Sequence, residues 1–259
     1  MKNDMDKTLI VIPTYNEIEN IEEIVTAVLS QSELVHLLII DDNSPDGTGN
    51  RVKSLFSKYN SSVSRLHIIE RKKKLGLGTA YLTGFSFGLE HGYEFIIEMD
   101  ADFSHNPDDI IKLYQECSKE DVDMVVGSRY CKGVNVVNWP IGRVLLSYFA
   151  SVYVRFITGL NIMDTTAGFV CYRRRALELL LSDKNRIEFI GYAFQIEMKF
   201  NATKCGLRIV EIPIIFTDRT KGKSKMSGSI FKEAIYAVIK LKVLSWFRKY
   251  PKLPAQPLS

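Results

Sequence analysis

The chain alternates short, continuous apolar runs with stretches of helical spacing. Residues 8–13 (TLIVIP) are β-branched and apolar, which predicts a strand buried on both faces. Asn16, with Glu19 three positions on, has the chemistry of a helix N-cap and predicts a helix running to Ser30. Residues 35–41 (VHLLIID) predict a second buried strand, closed by the turn sequence Asn43-Ser44-Pro45-Asp46-Gly47. Strands predicted at 65–70, 95–99 and 124–127 alternate with helices near 48–59, 79–91 and 107–118. Buried strands separated by helices imply an α/β fold with a mostly parallel central sheet flanked by helices.

The second half is less regular. A helix is predicted at 143–158, with eleven uncharged residues between Arg143 and Arg155. Strands at 167–172 and 209–216 and a helix at 192–204 follow. The last helix, 229–249, mixes aliphatic residues, Trp246 and Phe247 with Lys232, Lys240, Lys242, Arg248 and Lys249. No repeat, low-complexity tract or evident linker divides the 259 residues.

Composition changes this picture little: 46% hydrophobic and 25% charged residues are ordinary for a globular protein. A net charge of +4 is too small to argue for a nucleic-acid partner. Local clusters say more. Arg71-Lys72-Lys73-Lys74, Arg173-Arg174-Arg175 and the alternating Lys221, Lys223 and Lys225 suit an anionic group such as a phosphate or a lipid headgroup. Four scattered cysteines predict reduced thiols and offer no zinc spacing. The polar start MKNDMDK predicts no signal peptide, and no run reaches the ~18–20 uncharged apolar residues of a membrane-spanning helix. Gly76-x-Gly78 lacks the third glycine of a dinucleotide loop, which would fall on Tyr81. His105 is read as a local structural residue.

The candidate chemistry sits at strand ends. In parallel sheets ligands bind beyond the carboxyl ends of the strands. There the sequence places Tyr15, Asn16 and Glu17, then Asp41 and Asp42, then Asp100 and Asp102. Alternation puts Asp100 and Asp102 on one side of an extended chain. Two hard carboxylates with open positions suit Mg²⁺ or Mn²⁺, which bind through few protein ligands plus substrate phosphates. A diphosphate bridged to such an ion leaves more readily, because its developing charge is neutralised in place.

Further motifs run in order along the chain: Pro13-Thr14-Tyr15-Asn16-Glu17, Asp41-Asp42-Asn43-Ser44-Pro45-Asp46-Gly47-Thr48, Leu75-Gly76-Leu77-Gly78-Thr79-Ala80-Tyr81 and Asp100-Ala101-Asp102-Phe103-Ser104-His105. Gly127-Ser128-Arg129-Tyr130, Gly191-Tyr192-Ala193-Phe194-Gln195 and Asp218-Arg219-x5-Lys225 follow. Over residues 8–230 the chain closely resembles the dolichol-phosphate (polyprenol-phosphate) mannose synthases, inverting family-2 glycosyltransferases of the GT-A (Rossmann-like) fold. The resemblance implies a catalytic domain over 1–228, with 229–259 forming an amphipathic basic helix and tail in or against it. It implies that GDP-mannose is the donor and a polyprenol or dolichol phosphate the acceptor, giving a β-linked lipid phosphate mannose.

Roles carried over by resemblance are these. Pro13, Tyr15, Glu17, Ile40 and Asp42 would hold the guanosine. Asp100, Ala101 and Asp102 would hold the diphosphate, with Asp100 and Asp102 on the metal. The family often has Gln where this chain has Ser104, a shorter and weaker ligand. Arg129, Arg219 and Lys225 match phosphate-contacting positions, and Asp102, Arg129 and Arg219 are the catalytic candidates. Arg143 and Ser147, four apart on one helix face, match contacts to the acceptor phosphate. That acceptor is already anionic, so it needs cationic positioning and no dedicated base. A lipid acceptor implies peripheral attachment to the cytosolic face of a membrane, through 143–158 and 229–249 or a small membrane-anchoring partner. The competing readings are transfer of glucose from UDP-glucose, and a non-catalytic subunit that binds a nucleotide sugar.

Overall fold

The two longest apolar runs become β1 (Thr8–Thr14) and β2 (Val35–Asp41), almost wholly buried and paired in parallel from Thr8 opposite Val35 to Thr14 opposite Asp41. This computed structural model describes residues 7–183, 187–219 and 228–253, with side chains in the last segment from 235 on. Its other strands are β3 (Leu66–Glu70), β4 (Phe95–Glu98), β5 (Met124–Ser128), β6 (Val136–Val137), β7 (Val170–Arg173), β8 (Ile209–Pro213) and β9 (Phe216–Thr217). The described residues form a seven-stranded sheet in the order β3-β2-β1-β4-β7-β5-β8, with β6 and β9 paired apart from it.

Between the strands run α1 (Ile21–Leu29), α2 (Thr48–Ser54), α3 (Phe56–Tyr59), α4 (Leu77–Glu90) and α5 (Asp109–Cys117). The second half adds α6 (Ile141–Thr158), α7 (Arg174–Leu180), α8 (Ala193–Cys205) and α9 (Gly228–Leu244). Helices α1 and α5 cover one face of the sheet, α4 and α8 the other, each face with its own apolar cluster. The mostly parallel α/β sheet expected from the sequence is the one observed. Strand β7 is the exception, antiparallel to both β4 and β5.

Helix α1 starts at Ile21, not after Asn16 as the capping pattern predicts. Asn16 is left-handed (φ 56°), and the amides of Asn16, Glu17 and Ile18 go to Ser44 Oγ, Thr48 Oγ1 and Asp46 Oδ2. The segment is therefore a loop latched to the turn after β2. No side chain caps α1, yet Ile21, Ile24, Val25, Val28 and Leu29 are buried. Five such residues at about 2 kcal/mol each outweigh a missing cap worth about 1 kcal/mol.

A third cluster joins α6, α8 and α9 through Val154, Ile196, Phe200, Ala237, Val238 and Leu241. The sequence excluded a spanning segment, but α6 is long and apolar enough to cross a membrane by length and composition alone. Arg143 and Arg155 interrupt its apolar run without lowering its average enough to fail that test. The outer faces of α6 and α9 expose Ile141, Phe149, Phe156 and Tyr236, and the turn after α9 exposes Trp246 and Phe247.

Candidate active site

Beyond the carboxyl end of β4 the chain turns sharply through Asp100-Ala101-Asp102-Phe103, with Phe103 left-handed at φ 60°. Asp102 is buried and accepts the Ser104 amide on Oδ1 (3.1 Å) and the Arg219 guanidinium on Oδ2 (2.9 Å). Burial and the adjacent Asp102 charge push Asp100 up to about 7, while Arg219 draws it down. The Asp100 amide donates to His105 Nδ1 (3.1 Å), and the His105 ring stacks on Phe169. Burial holds that imidazole down to about 4, so it stays neutral and serves as an acceptor that fixes the turn. Ala101 is buried beneath, as a backbone contact requires.

The reversal of β7 brings the residues before it to this same edge. Asp164 accepts Arg129 through the backbone amide, Nε (2.7 Å) and Nη2 (2.6 Å). Burial alone would raise Asp164, but the Arg129 charge and hydrogen bonds outweigh it and hold the carboxyl below its usual range. Arg129 also donates to Thr166 Oγ1 (2.8 Å), and its guanidinium lies against the rings of Tyr130, Trp139 and Phe216. Arg143 stacks on Trp139 at 4.1 Å and pairs with Asp218 at 2.9 Å. Tyr192, just before α8, completes this wall.

These groups enclose two adjoining cavities. One, of about 120 Å³, is walled by Asp100, Asp102, Ser104, Arg129, Asp218 and Arg219 among others. The second, of about 380 Å³, is mostly apolar and is lined by Leu146, Phe149, Val154, Ile196 and Val238, with Ser147 at its side. Arg129, Trp139, Arg143, Thr166 and Tyr192 line both. Arg143 and Ser147 both line the apolar cavity, and Arg143 alone of the two also lines the charged one.

The nucleoside candidates gather elsewhere, at the ends of β1 and β2, and line neither cavity. Glu17 is near enough to raise Asp100. Asp42 pairs with Arg71, which also donates to Thr79 Oγ1 and to the Gly76 carbonyl. Gly76, at φ 100°, packs against the Ile190 carbonyl, where a Cβ would come within 2.7 Å; no other residue fits there. Ile40 is wholly buried in β2, between β1 and β3. Tyr15 lies under the Lys74 ammonium at 5.0 Å. Lys225, with Lys221 and Lys223, falls outside the described residues. Of the basic clusters, Arg173, Arg174 and Arg175 are spent on local carbonyls and on Glu178 and Asp123, not on a ligand.

Asp100 and Asp102 offer hard oxygens, and the buried Ser104 hydroxyl beside them has no hydrogen-bond partner. That donor set fits Mg²⁺ or Mn²⁺. Among the described residues no three His, Cys, Asp or Glu side chains converge on one point. An ion held here therefore needs oxygens from its ligand as well.

The family model for glycosyl transferase family 2 matches residues 9–181. A polyprenol monophosphomannose synthase of Mycolicibacterium smegmatis is 44% identical over 232 residues, covering 90% of this chain and 85% of the relative. The chain belongs to glycosyltransferase family 2. An undecaprenyl-phosphate mannosyltransferase of Micrococcus luteus is 41% identical over 232 residues, covering 90% of this chain and 92% of the relative. Solved structures share the fold at low identity. Glucosyl-3-phosphoglycerate synthase of Mycobacterium tuberculosis, with Mn²⁺, UDP and glucosyl-3-phosphoglycerate, gives a TM-score of 0.66 at 17% identity over 92% of this chain and 80% of that one. A mannosyltransferase of Pyrobaculum calidifontis, with GDP-Man and Mn²⁺, gives 0.55 at 15% over 92% of this chain and 70% of that one.

Arg71 was visible only as part of a basic run. Asp164 and Thr166 carry no motif and stand before a strand, not after one, because β7 runs in reverse; Trp139, between β6 and α6, carries no motif either.

Proposed function

We propose that this family-2 enzyme transfers mannose from GDP-mannose to a polyprenyl phosphate, with inversion. The observation that carries the reading is the shared wall of the two cavities. A small charged cavity built on Asp100, Asp102 and Arg219 opens through Arg129 and Arg143 onto a larger apolar one. A sugar diphosphate suits the first and an isoprenoid chain the second, with its phosphate between the arginines. The names of the two relatives support the same acceptor class and sugar.

In this reading an acceptor phosphate oxygen attacks C1 of the mannose. The bond from C1 to the β-phosphate oxygen breaks, and its electron pair leaves with GDP. Attack opposite the leaving group turns an α-linked donor into a β-linked product. Asp100 and Asp102, with Ser104 beside them, would hold Mg²⁺ or Mn²⁺, which when bound neutralises charge on the diphosphate. Arg219 adds a cation at the same place, and Arg143 with Ser147 seats the acceptor phosphate. Arg129 is fixed by Asp164 in the wall common to both cavities, where its cation would help two anionic phosphates approach with their charge compensated. The phosphate is nucleophilic when ionised, and no carboxylate base is required.

Pro13, Tyr15, Glu17, Ile40 and Asp42 form the guanosine end in this reading. The enzyme would sit on the cytosolic leaflet through the exposed apolar face of α6 and the exposed residues from Ile235 to Phe247, alone or with a small membrane partner.

One assay tests the function: purified protein, Mn²⁺ or Mg²⁺, a short polyprenyl phosphate, and GDP-mannose against UDP-glucose. Lipid-linked mannose is the expected product. Transfer from UDP-glucose alone would overturn the mannose assignment, and no transfer from either donor would favour a non-catalytic nucleotide-sugar-binding subunit.

A further inference from the structure

Below the charged cavity lies a polar assembly that the proposed chemistry does not use. Lys199, on α8, is fully buried, and its ammonium donates to the Ala167 carbonyl (2.7 Å), the Gln195 carbonyl (3.2 Å) and Gln195 Oε1 (3.4 Å). Gln195 Nε2 donates to Glu98 Oε2 (2.7 Å), and the Tyr172 hydroxyl lies 3.4 Å from Glu98 Oε1. Glu98 is the last residue of β4, two before Asp100. Burial pushes Glu98 up and Lys199 down, and each charge draws the other back.

Burying an ammonium and a carboxyl costs several kcal/mol even when they are paired, and apolar residues of like volume are often more stabilising. The arrangement has one definite geometric result. An ammonium has only donors, so the face of Gln195 toward Lys199 must be Oε1, whatever the protonation of Glu98. The amide is thereby held in one of its two flips, with Nε2 toward Glu98. An amide nitrogen carries two N–H groups. One goes to Glu98, and the other is given no partner by the described residues, while Gln195 lines the charged cavity at 3% exposure.

The other polar groups there suit phosphate and cation, being carboxylates and guanidinia. Of the neutral ones, the Tyr81 hydroxyl is taken by the Met99 carbonyl, Thr166 by Arg129, and His105 by the Asp100 amide. The Ser104 hydroxyl, beside the two carboxylates, and Trp139 Nε1, in the wall shared with the apolar cavity, also have no partner among the described residues. Gln195 differs in that Lys199 and Glu98 fix its amide, which leaves an uncharged donor of set direction, the kind of group that reads a sugar hydroxyl. We propose that Gln195, locked in one amide orientation by Lys199 and Glu98, donates its remaining N–H to a hydroxyl of the donor hexose and so helps select the sugar. Lys199 is then a positioning residue, acting through Gln195. A site built to hydrogen-bond a hydroxyl rejects the analogue that lacks it far better than an apolar pocket rejects a change of size.

The inference rests on reading the charged cavity as the sugar-nucleotide site, and the test separates the two. Binding of GDP-mannose and of GDP, each with Mn²⁺, is measured by calorimetry on the full chain and on Gln195→Met and Lys199→Met; the same pair of measurements is made with UDP-glucose and UDP. Gln195→Met should weaken the sugar nucleotide roughly tenfold, the worth of one good hydrogen bond, and leave the nucleoside diphosphate unchanged. Lys199→Met should give a smaller loss with the same selectivity. Equal losses for sugar nucleotide and nucleotide, or no loss, would overturn the role of Gln195 while leaving the site reading intact. If the unaltered protein binds none of the four ligands, the site reading itself falls. Should either variant fail to fold, deoxy analogues of the bound donor decide: one deoxy position must cost the unaltered protein roughly tenfold, and a flat series refutes the proposal.

Discussion

Asp102 holds the Ser104 amide and the Arg219 guanidinium on its two oxygens, so one side chain ties a turn to a cation. Asp102→Asn keeps the shape and removes the charge. It should weaken Mn²⁺ binding, followed by the electron spin resonance of free Mn²⁺, by roughly tenfold or more, and abolish transfer. Ser104→Ala should cost less than that, since a hydroxyl is a weaker ligand than a carboxylate. Near-normal Mn²⁺ affinity in Asp102→Asn would remove the pair from the metal site. Asp164→Asn tests a different quantity. It strips the counter-ion from a guanidinium whose side chain is only 10% exposed, and such single removals cost about 3 kcal/mol or more in urea unfolding. The contrast between these residues also marks what could be read in advance. Asp100 and Asp102 stand two apart after a strand, and the sequence shows them directly. Asp164 meets Arg129 across 35 positions, and Gln195 meets Glu98 across 97, with nothing local to signal either.

Strand β7 explains the difference at the level of elements. A strand buried on both faces has the same continuous apolar pattern whichever way it runs, so its direction is not written in its residues. The parallel strands are legible in sequence, as are their helices to within a few residues. The reversed strand is legible as a strand at 167–172 but not in its direction, and with the direction goes the placement of the loop that fixes Arg129. Packing between elements is equally silent in sequence. Gly84 on α4 sits against β1, where a Cβ would come within 2.3 Å of Val11. Gly84→Ala, a favourable change by helix propensity, should instead destabilise by about 1–3 kcal/mol in urea unfolding, because α4 must lift from the sheet. At the opposite end of the sheet from the site, His36 is 3% exposed, bonded to the Tyr93 hydroxyl (2.9 Å) and stacked near His67. Burial, with Lys7 and His67 adding to it, lowers its pKa to about 4. The fold thus prefers the neutral ring. Its contribution is complete above the unfolded value near 6.5 and is lost as pH falls from there toward 4, up to about 3 kcal/mol. The thermal midpoint should fall more steeply between pH 6.5 and 4.5 than it does in His36→Asn.

For the whole molecule the open question is where a chain of this kind meets a lipid acceptor. The apolar cavity lies between α6, α8 and α9; α6 turns Phe149 and Phe156 outward, α9 turns Ile239 outward, and the turn after α9 exposes Trp246 and Phe247. Phe156 is 84% and Phe247 80% exposed. Large rings left in water beside Lys242, Arg248 and Lys249 are the pattern of a surface that enters the headgroup region of an anionic bilayer. A polyprenyl chain could then pass from the bilayer into the cavity without crossing water. Each ring transferred to the interface contributes about 1.5–2 kcal/mol, so Phe156→Ser with Phe247→Ser should weaken vesicle binding roughly a hundredfold. Both side chains are exposed, so the thermal midpoint should barely move. Cosedimentation with vesicles containing anionic lipid measures the effect, and raising salt should weaken binding further by screening the lysines and arginines. If the unaltered protein ignores such vesicles at physiological salt and no membrane partner restores binding, peripheral attachment is wrong. If it binds but the double variant binds equally well, the attachment lies on another face, and the apolar cavity must take its ligand by a different route.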